Sequence, residues 1–378
     1  MKYDFFKTLA FQLDPEFVHE KMLLFFRAFP KFSASLFPGI LDQENIYQIK
    51  STNLTWKFPI GMAAGFDKNG LIVNYLSSLG FGAIEVGTVT PQPQKGNPRP
   101  RIFRYPSEKS LRNFMGIPNQ GQEAVWKNLQ SYGGNATLGI NIGKNTHTPE
   151  DQAPVDYLQL YRKFAPIANY LVMNISCPNV PGGRKFQDRE KLSQLLRFLS
   201  EIRQQSPVPL FIKIAPDLTE DDLKELVQIV WEHRLSGIIA TNTIHDPKRG
   251  EGGISGDLLY EKAAQTRQQL LKLTASYSDI DIIGVGGFSN FEQILEFWKQ
   301  GGKFVQIYTS FIDQGPEILH QIKKGIDQLL QTQKVQTLQE LMNYTSQVKK
   351  VELEFRASLK GPSPSPHLRS VPDPLPFD

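Results

Sequence analysis

The sequence predicts an α/β protein, a (β/α)8 TIM barrel with an N-terminal amphipathic two-helix extension. Eight short apolar runs alternate with amphipathic helical stretches. The alternation fills about 270 residues, close to the ~250 that such a barrel takes. No Gly-x-Gly-x-x-Gly follows the first strand, which makes an open dinucleotide-binding sheet the weaker choice.

Residues 1–40 stand apart. Phe5, Phe6, Leu9 and Ala10 recur at helical spacing, and Asp14-Pro15 supplies a helix start with proline at the first position. Phe17, Val18, Met22, Leu24, Phe25, Phe26 and Phe29 then make a second, broadly apolar helix, accompanied by Lys2, Lys7, Lys21, Arg27 and Lys31. Such a pair suits either a membrane surface or a hairpin packed on the main domain. Pro30 and Phe37-Pro38-Gly39 break the pattern and read as a linker.

The barrel is expected over residues 41–335. Its strands fall at Pro59–Ala64, Ala83–Thr88, Thr137–Ile142, Tyr170–Ile175, Pro209–Ile214, Gly237–Thr241, Ile280–Val285 and Lys303–Tyr308. Helices fall near Gly70–Ser78, Gly121–Gln130, Asp156–Ala168, Arg189–Gln204, Asp221–His233, Leu258–Ala275, Phe291–Lys299 and Pro316–Leu330. The connection from Pro91 to Gly121 is too long for a simple loop. With Pro91, Pro93, Pro98, Pro100, Pro106, Pro118 and Arg99, Arg101, Arg104 and Arg112, it reads as an ordered cover over the barrel mouth. Residues 336–378 are a tail that turns Pro/Ser-rich at Gly361-Pro362-Ser363-Pro364-Ser365-Pro366, and roughly the last 20 are expected to be disordered or extended.

Composition narrows the function classes. A chain of 378 residues, 40% hydrophobic, can bury a large core. Lys and Arg number 42 against 38 Asp and Glu, a formal charge of +4 that is too mild to argue for nucleic acid, so no nucleic-acid partner is expected. One cysteine excludes an intrachain disulfide and fits a reducing compartment. The longest apolar runs fall short of the ~20 residues of a membrane span, and no signal-peptide cleavage pattern opens the chain.

The active site of such a barrel lies at the carboxyl ends of its strands. The exits read Ala64-Gly65-Phe66-Asp67-Lys68, Glu85-Val86-Gly87-Thr88, Asn141-Ile142-Gly143-Lys144 and Asn174-Ile175-Ser176-Cys177-Pro178-Asn179, which holds the only cysteine. Lys213, Thr241-Asn242-Thr243, Gly284-Val285-Gly286-Gly287 and Tyr308-Thr309 follow. Each is ordinary alone; together they describe a site. Glycines and hydroxyls on the last two strands suit a phosphate, while two lysines and several amides suit a planar ligand with many hydrogen bonds. No His and carboxylate cluster has metal-ligand spacing, so no metal is expected. Lys213 as a Schiff-base nucleophile of an aldolase-like lyase, or a non-catalytic membrane scaffold, are the alternatives.

These residues resemble the dihydroorotate dehydrogenases, FMN enzymes that oxidise dihydroorotate to orotate in pyrimidine (UMP) synthesis. The resemblance runs from residue 1 to about 330. It rests on the exits above extended to Asn69-Gly70, to Val89-Thr90-Pro91 and to Asn145, and on Asn113-Phe114-Met115-Gly116, Lys213-Ile214-Ala215-Pro216-Asp217, Ile283-Gly284-Val285-Gly286-Gly287 and Val305-Gln306-Ile307-Tyr308-Thr309. It implies FMN contacts from Ala64, Gly65, Thr88, Asn141, Asn174, Lys213, Thr241, Gly256, Gly287, Tyr308 and Thr309. It implies substrate contacts from Lys68, Asn113, Phe114, Met115, Gly116, Ile117, Asn174, Asn179, Asn242 and Thr243, with Cys177 as the base that takes the C5 proton while the C6 hydride passes to flavin N5.

Members that pass electrons to membrane quinone are similar to this chain in carrying two helices ahead of the barrel. The resemblance therefore implies a peripheral location on the cytoplasmic side of the cell membrane, with His19, Arg104 and Tyr308 lining the quinone path. Cys177 departs from that group, where serine is usual, and matches the soluble group that uses fumarate or NAD. A thiol with an ordinary pKa of ~8.5 is a readier base than an alcohol near neutral pH. The expectation is a shifted pH optimum with the same acceptor.

Overall fold

A computed structural model describes residues 2–37, 39–40, 45–176 and 189–343. The chain opens with three helices rather than two: α1 (Lys2–Ala10), α2 (Pro15–Ala28) and α3 (Pro30–Leu36). Asp14 caps α2 by accepting from the Phe17 amide at 2.8 Å, with Pro15 at the first position as expected. Pro30 was expected to break the helical pattern. It instead starts α3, because a proline at the first helical position lacks only an N–H that would have had no partner there.

A short antiparallel pair, β1 (Ile49–Lys50) and β2 (Thr55–Trp56), follows, and Trp56 packs its ring 4.8 Å from Phe304. The first barrel strand, β3 (Ile60–Met62), leads through α4 (Val73–Ser78) to β4 (Ala83–Val89). The chain then rises into a hairpin, β5 (Ile102–Tyr105) and β6 (Ser110–Asn113), before α5 (Gly121–Leu129) returns it to β7 (Thr137–Ile142). Next come α6 (Ala153–Phe164), β8 (Tyr170–Asn174), α7 (Arg189–Phe198), α8 (Ser200–Gln205), β9 (Leu210–Ile214), α9 (Glu220–Glu232) and β10 (Gly237–Ala240). The last part runs β11 (Gly253–Gly256), α10 (Asp257–Leu273), β12 (Asp281–Gly284), α11 (Phe291–Lys299), β13 (Phe304–Ile307), α12 (Thr309–Gln314) and α13 (Glu317–Gln333).

Eight parallel strands close the barrel in chain order, β3-β4-β7-β8-β9-β10-β12-β13, with β13 returning to β3. They are buried on both faces, against helices outside and one another inside, which is why they read as continuous apolar runs. The helix expected over Arg189–Gln204 is divided at Leu199, whose backbone stays in the right-handed helical region. Residues 338–343 also pack back: Leu338, Leu341 and Met342 are buried in the core, and the Leu338 amide donates to the Ile46 carbonyl at 2.8 Å. The packed chain thus runs past the boundary expected at 335. The Pro/Ser-rich end lies outside the described residues.

The cover over Pro91–Gly121 has structure of its own. β5 and β6 pair antiparallel, and β11, arriving about 140 residues later, adds a third strand on β6. This small sheet stands over the carboxyl ends of the barrel strands.

Candidate active site

The network at the centre begins with a charge inside the barrel. Glu85, on β4, is fully buried, and its carboxylate accepts from Asn141 Nδ2 at 2.7 Å, Gln306 Nε2 at 2.7 Å and Lys213 Nζ at 3.5 Å. Burial of a lone carboxylate would be prohibitive, so each donor comes from a different strand that ends at the same level. From Asn141 the network continues upward. Thr88 Oγ1 donates to Asn141 Oδ1 at 2.6 Å, and Asn174 Nδ2 donates to Thr88 Oγ1 at 2.9 Å. Register explains the convergence, since Asn174 on β8 lies directly beside Lys213 on β9. Tyr170 sits beneath, accepting from Gln306 Nε2 at 3.3 Å, and burial with the Glu85 charge pushes its phenol well up.

Above this network opens a cavity of about 1280 Å³, counted to its mouth. Every expected cofactor position lines it: Ala64, Gly65, Thr88, Asn141, Asn174 and Lys213 on one part of the wall, and Thr241, Gly256, Gly287, Tyr308 and Thr309 on the other. Of the expected substrate positions, Lys68, Asn113, Met115, Ile117, Asn242 and Thr243 line it with Asn174. Phe114 and Gly116 do not; they shape the loop behind Met115, where the Phe114 amide donates to the Arg101 carbonyl at 2.8 Å. Asn179 and Cys177 lie outside the described residues.

The cavity is chemically prepared for a polar ligand. Thr243 Oγ1, Gln306 Oε1 and Ser310 Oγ are buried, line it, and have no partner among the described residues. Buried polar atoms are nearly always satisfied, so these three call for hydrogen bonds from something that fills the space. At one end, Gly287 has φ +84 and a Cβ there would lie 2.5 Å from Tyr260 Cα; Gly256 has φ +90 and would press on the Lys109 carbonyl at 2.3 Å. Only glycine keeps the backbone this close, and the N-terminus of the 17-residue α10 starts at Gly256. These features fit a planar, phosphate-bearing group such as a flavin, which Gly256, Gly287 and Lys213 would help to hold. Among the described residues no three His, Cys, Asp or Glu side chains group as a metal site would require.

Lys68 reaches the cavity from the β3 exit, and burial brings its ammonium down to about 8, against the raising influence of Glu16. Neighbouring Asp67 is buried and accepts from the Leu71 and Ile72 amides at 2.9 and 2.7 Å, which fixes the loop that carries Lys68. Asn242 Nδ2 donates to Ser176 Oγ at 3.2 Å, so Ser176 orients a ligand-facing amide.

Of the residues expected on a quinone path, only Tyr308 lines the cavity. His19 connects to it through Phe66: its Nε2 donates to the Phe66 carbonyl at 2.8 Å, its ring meets Phe66 edge-on at 5.2 Å, and Phe66 meets Tyr308 at 5.8 Å. Burial lowers the His19 pKa to about 3, so the ring is neutral with its proton on Nε2. Arg104 lies farther out, its Nη1 donating to the Leu13 carbonyl at 2.8 Å and its guanidinium over Phe11, so it fastens the α1–α2 turn. Glu85, Gln306, Glu16 and Arg101 were not among the expected site residues. Glu85 and Gln306 did carry a signal, as polar residues in the middle of strands otherwise apolar.

Comparison with known proteins agrees with the geometry. The family model described as Dihydroorotate dehydrogenase matches residues 46–330. A protein of Christiangramia forsetii named Dihydroorotate dehydrogenase (quinone) is 39% identical over 337 residues, covering 85% of this chain and 97% of its own length. A protein of the same name from Idiomarina loihiensis is 38% identical, covering 85% and 98%. The crystal structure of ligand-free DHODH from Eimeria tenella superposes with a TM-score of 0.78 at 29% identity, over 86% of this chain and 98% of that one. On the cavity, its buried network and these matches, the chain belongs to the dihydroorotate dehydrogenase family.

Proposed function

We propose that the chain oxidises (S)-dihydroorotate to orotate in pyrimidine synthesis, with FMN in the barrel-mouth cavity and a membrane quinone as electron acceptor. The observation that carries this reading is the convergence of all the expected cofactor positions on one cavity beside Lys68. Relatives named Dihydroorotate dehydrogenase (quinone) support it. When bound, a flavin supplies the two-electron acceptor that amino-acid side chains lack.

The chain supplies the rest. Gly256, Gly287 and Thr309 would hold the phosphate, and Lys213, backed by Glu85, would place positive charge where reduction develops negative charge. Lys68 would take the substrate carboxylate. Asn113, Asn174, Asn242 and Thr243 would match the ring amide and carbonyl groups, since a ligand lacking them leaves these polar atoms buried and unpaired. Asn179 would add a further amide, and Cys177 would take the proton from C5.

Membrane attachment rests on the surface of α1–α3. Phe6, Leu9, Leu13, Phe17, Leu24, Phe29 and Phe32 are all exposed there, which accounts for most of the exposed large apolar side chains among the described residues. No described helix is long and apolar enough to cross a membrane. The helices therefore suit attachment along the cytoplasmic face, with quinone approaching along His19, Phe66 and Tyr308. An acceptor survey on purified holoenzyme tests this: turnover of dihydroorotate with a soluble quinone analogue is expected, and turnover with fumarate or NAD but not quinone would overturn it.

A further inference from the structure

Helix α2, whose Phe17 and Leu24 are exposed, is also tied through Glu16 and Arg101 to the loop that walls one end of the cavity. Glu16, in the first turn of α2, is 5% exposed, and Arg101, at the base of the cover, is 6% exposed. Arg101 Nη2 donates to Glu16 Oε1 at 2.6 Å, and its Nε donates to Oε2 at 3.1 Å, the two-pronged geometry in which a guanidinium is held most firmly. The remaining nitrogen, Nη1, donates to the carbonyls of Lys95 and Asn97 at 2.7 Å and of Met115 at 3.4 Å.

Those carbonyls belong to the frame of the 113–117 loop. The Asn97 amide donates to the Met115 carbonyl at 2.9 Å, and Asn97 Nδ2 donates to the Phe114 carbonyl at 3.1 Å. Gly116 sits at φ +70 against Asn97, so the two segments are in direct backbone contact. Asn113, Met115 and Ile117 on this loop line the cavity. A buried carboxylate on the extension thus holds a buried guanidinium, which holds the loop that walls the cavity.

We propose that Glu16 is a positioning residue for substrate: through Arg101 it sets the 113–117 loop, so that docking of α2 and the shape of the substrate site are one structural unit. This rests on the dihydroorotate reading above, and gives the extension a role in substrate affinity in addition to membrane attachment. Glu16 also has a direct electrostatic effect. Of the charges around Lys68, Glu16 and Glu20 on α2 and Asp67 beside it favour the ammonium, with Glu16 foremost, whereas Arg101 disfavours it; neutral His19 adds no charge. Loss of the Glu16 charge therefore moves the Lys68 titration to lower pH.

The test compares holoenzyme with Glu16→Gln and Glu16→Asp, reading flavin content, orotate Kd by perturbation of the flavin spectrum, and KM for dihydroorotate and for a soluble quinone across pH. Glu16→Gln is expected to raise the orotate Kd and dihydroorotate KM by on the order of tenfold, to shift the alkaline limb of KM to lower pH, and to leave flavin content unchanged. Glu16→Asp, which keeps the charge, is expected to leave the limb in place while raising KM by a smaller factor. Unchanged KM and an unchanged limb in Glu16→Gln, with only reduced thermal stability, would overturn the proposal. If that variant yields no folded protein, unchanged KM in Glu16→Asp overturns it instead. Failure of the wild-type protein to bind orotate would sink the functional reading; wild-type binding matched by both variants would sink only this inference.

Discussion

Lys213 and Glu85 form an ion pair at 3.5 Å inside the barrel, with almost no solvent access to either side chain. Two strands, β9 and β4, each place one polar residue inward at this level, and Asn141 and Gln306 satisfy the remaining carboxylate lone pairs. Removing one partner leaves the other charge buried and uncompensated. Glu85→Ala is expected to cost about 3–5 kcal/mol of stability, measured by urea unfolding. A loss below about 1 kcal/mol would mean that water or another group compensates the Lys213 charge once Glu85 is gone.

Lys68 is expected to set a pH limit on substrate affinity. Its ammonium would bind the carboxylate only while protonated, and burial has brought its pKa in the free protein to about 8. Orotate affinity is expected to hold below that pH and to fall about tenfold for each unit above it, because binding must then be preceded by protonation. Lys68→Ala is expected to weaken binding by about 1.5–3 kcal/mol and to abolish that limb. Titration of orotate Kd from pH 7 to 10 checks both; a flat profile would remove Lys68 from the contact.

His19 makes the extension sensitive to acid. Its folded pKa of about 3 lies below the 6.5 of the unfolded chain, so the stability it contributes is complete above pH 6.5 and is lost as pH falls toward 3. At pH 5 the loss is expected to be on the order of 2 kcal/mol. His19→Gln retains an N–H for the Phe66 carbonyl but does not titrate, so its stability should fall less than the wild type's between pH 7 and 5. Equal acid sensitivity in the two proteins would mean that His19 is solvated.

The apolar face of α2 and α3 should govern membrane binding independently of catalysis. Phe29 and Phe32 are each more than half exposed, and transferring such a side chain out of water is worth about 1.5–3 kcal/mol. Phe29→Ser with Phe32→Ser is expected to reduce co-sedimentation with anionic vesicles at least tenfold, while flavin reduction by dihydroorotate stays normal. Unchanged sedimentation would place the attachment elsewhere.

The barrel was legible because a parallel sheet buried on both faces has to be written in short apolar runs, and all eight strands fell within two residues of their expected ends. The cavity residues were legible for a related reason: polar groups stand at the exits of all the strands, and those exits meet at the end of the barrel where such folds place their active sites. What escaped notice depends on partners far away in sequence. Gly253–Gly256, half glycine, carries no strand pattern, and only its pairing with Ser110–Asn113 makes it one. Glu16 read as an acidic residue in the first turn of a helix, favourable there in any protein; nothing local indicated that Arg101 would bury it. Glu85, Lys213 and Gln306 could have been linked, since each is a charged or amide side chain set among apolar residues in a buried strand and such residues need one another.

Dihydroorotate is expected to reduce a flavin held in this cavity, with Cys177 as base and quinone as the outlet. Anaerobic single-turnover mixing of holoenzyme with dihydroorotate, followed by addition of a soluble quinone, measures it directly. The flavin absorbance should bleach and then return. Cys177→Ser should bleach more slowly and fastest at raised pH, and Cys177→Ala should scarcely bleach. A protein without flavin, a flavin that dihydroorotate leaves oxidised, or bleaching at the same rate in all three proteins would contradict the account.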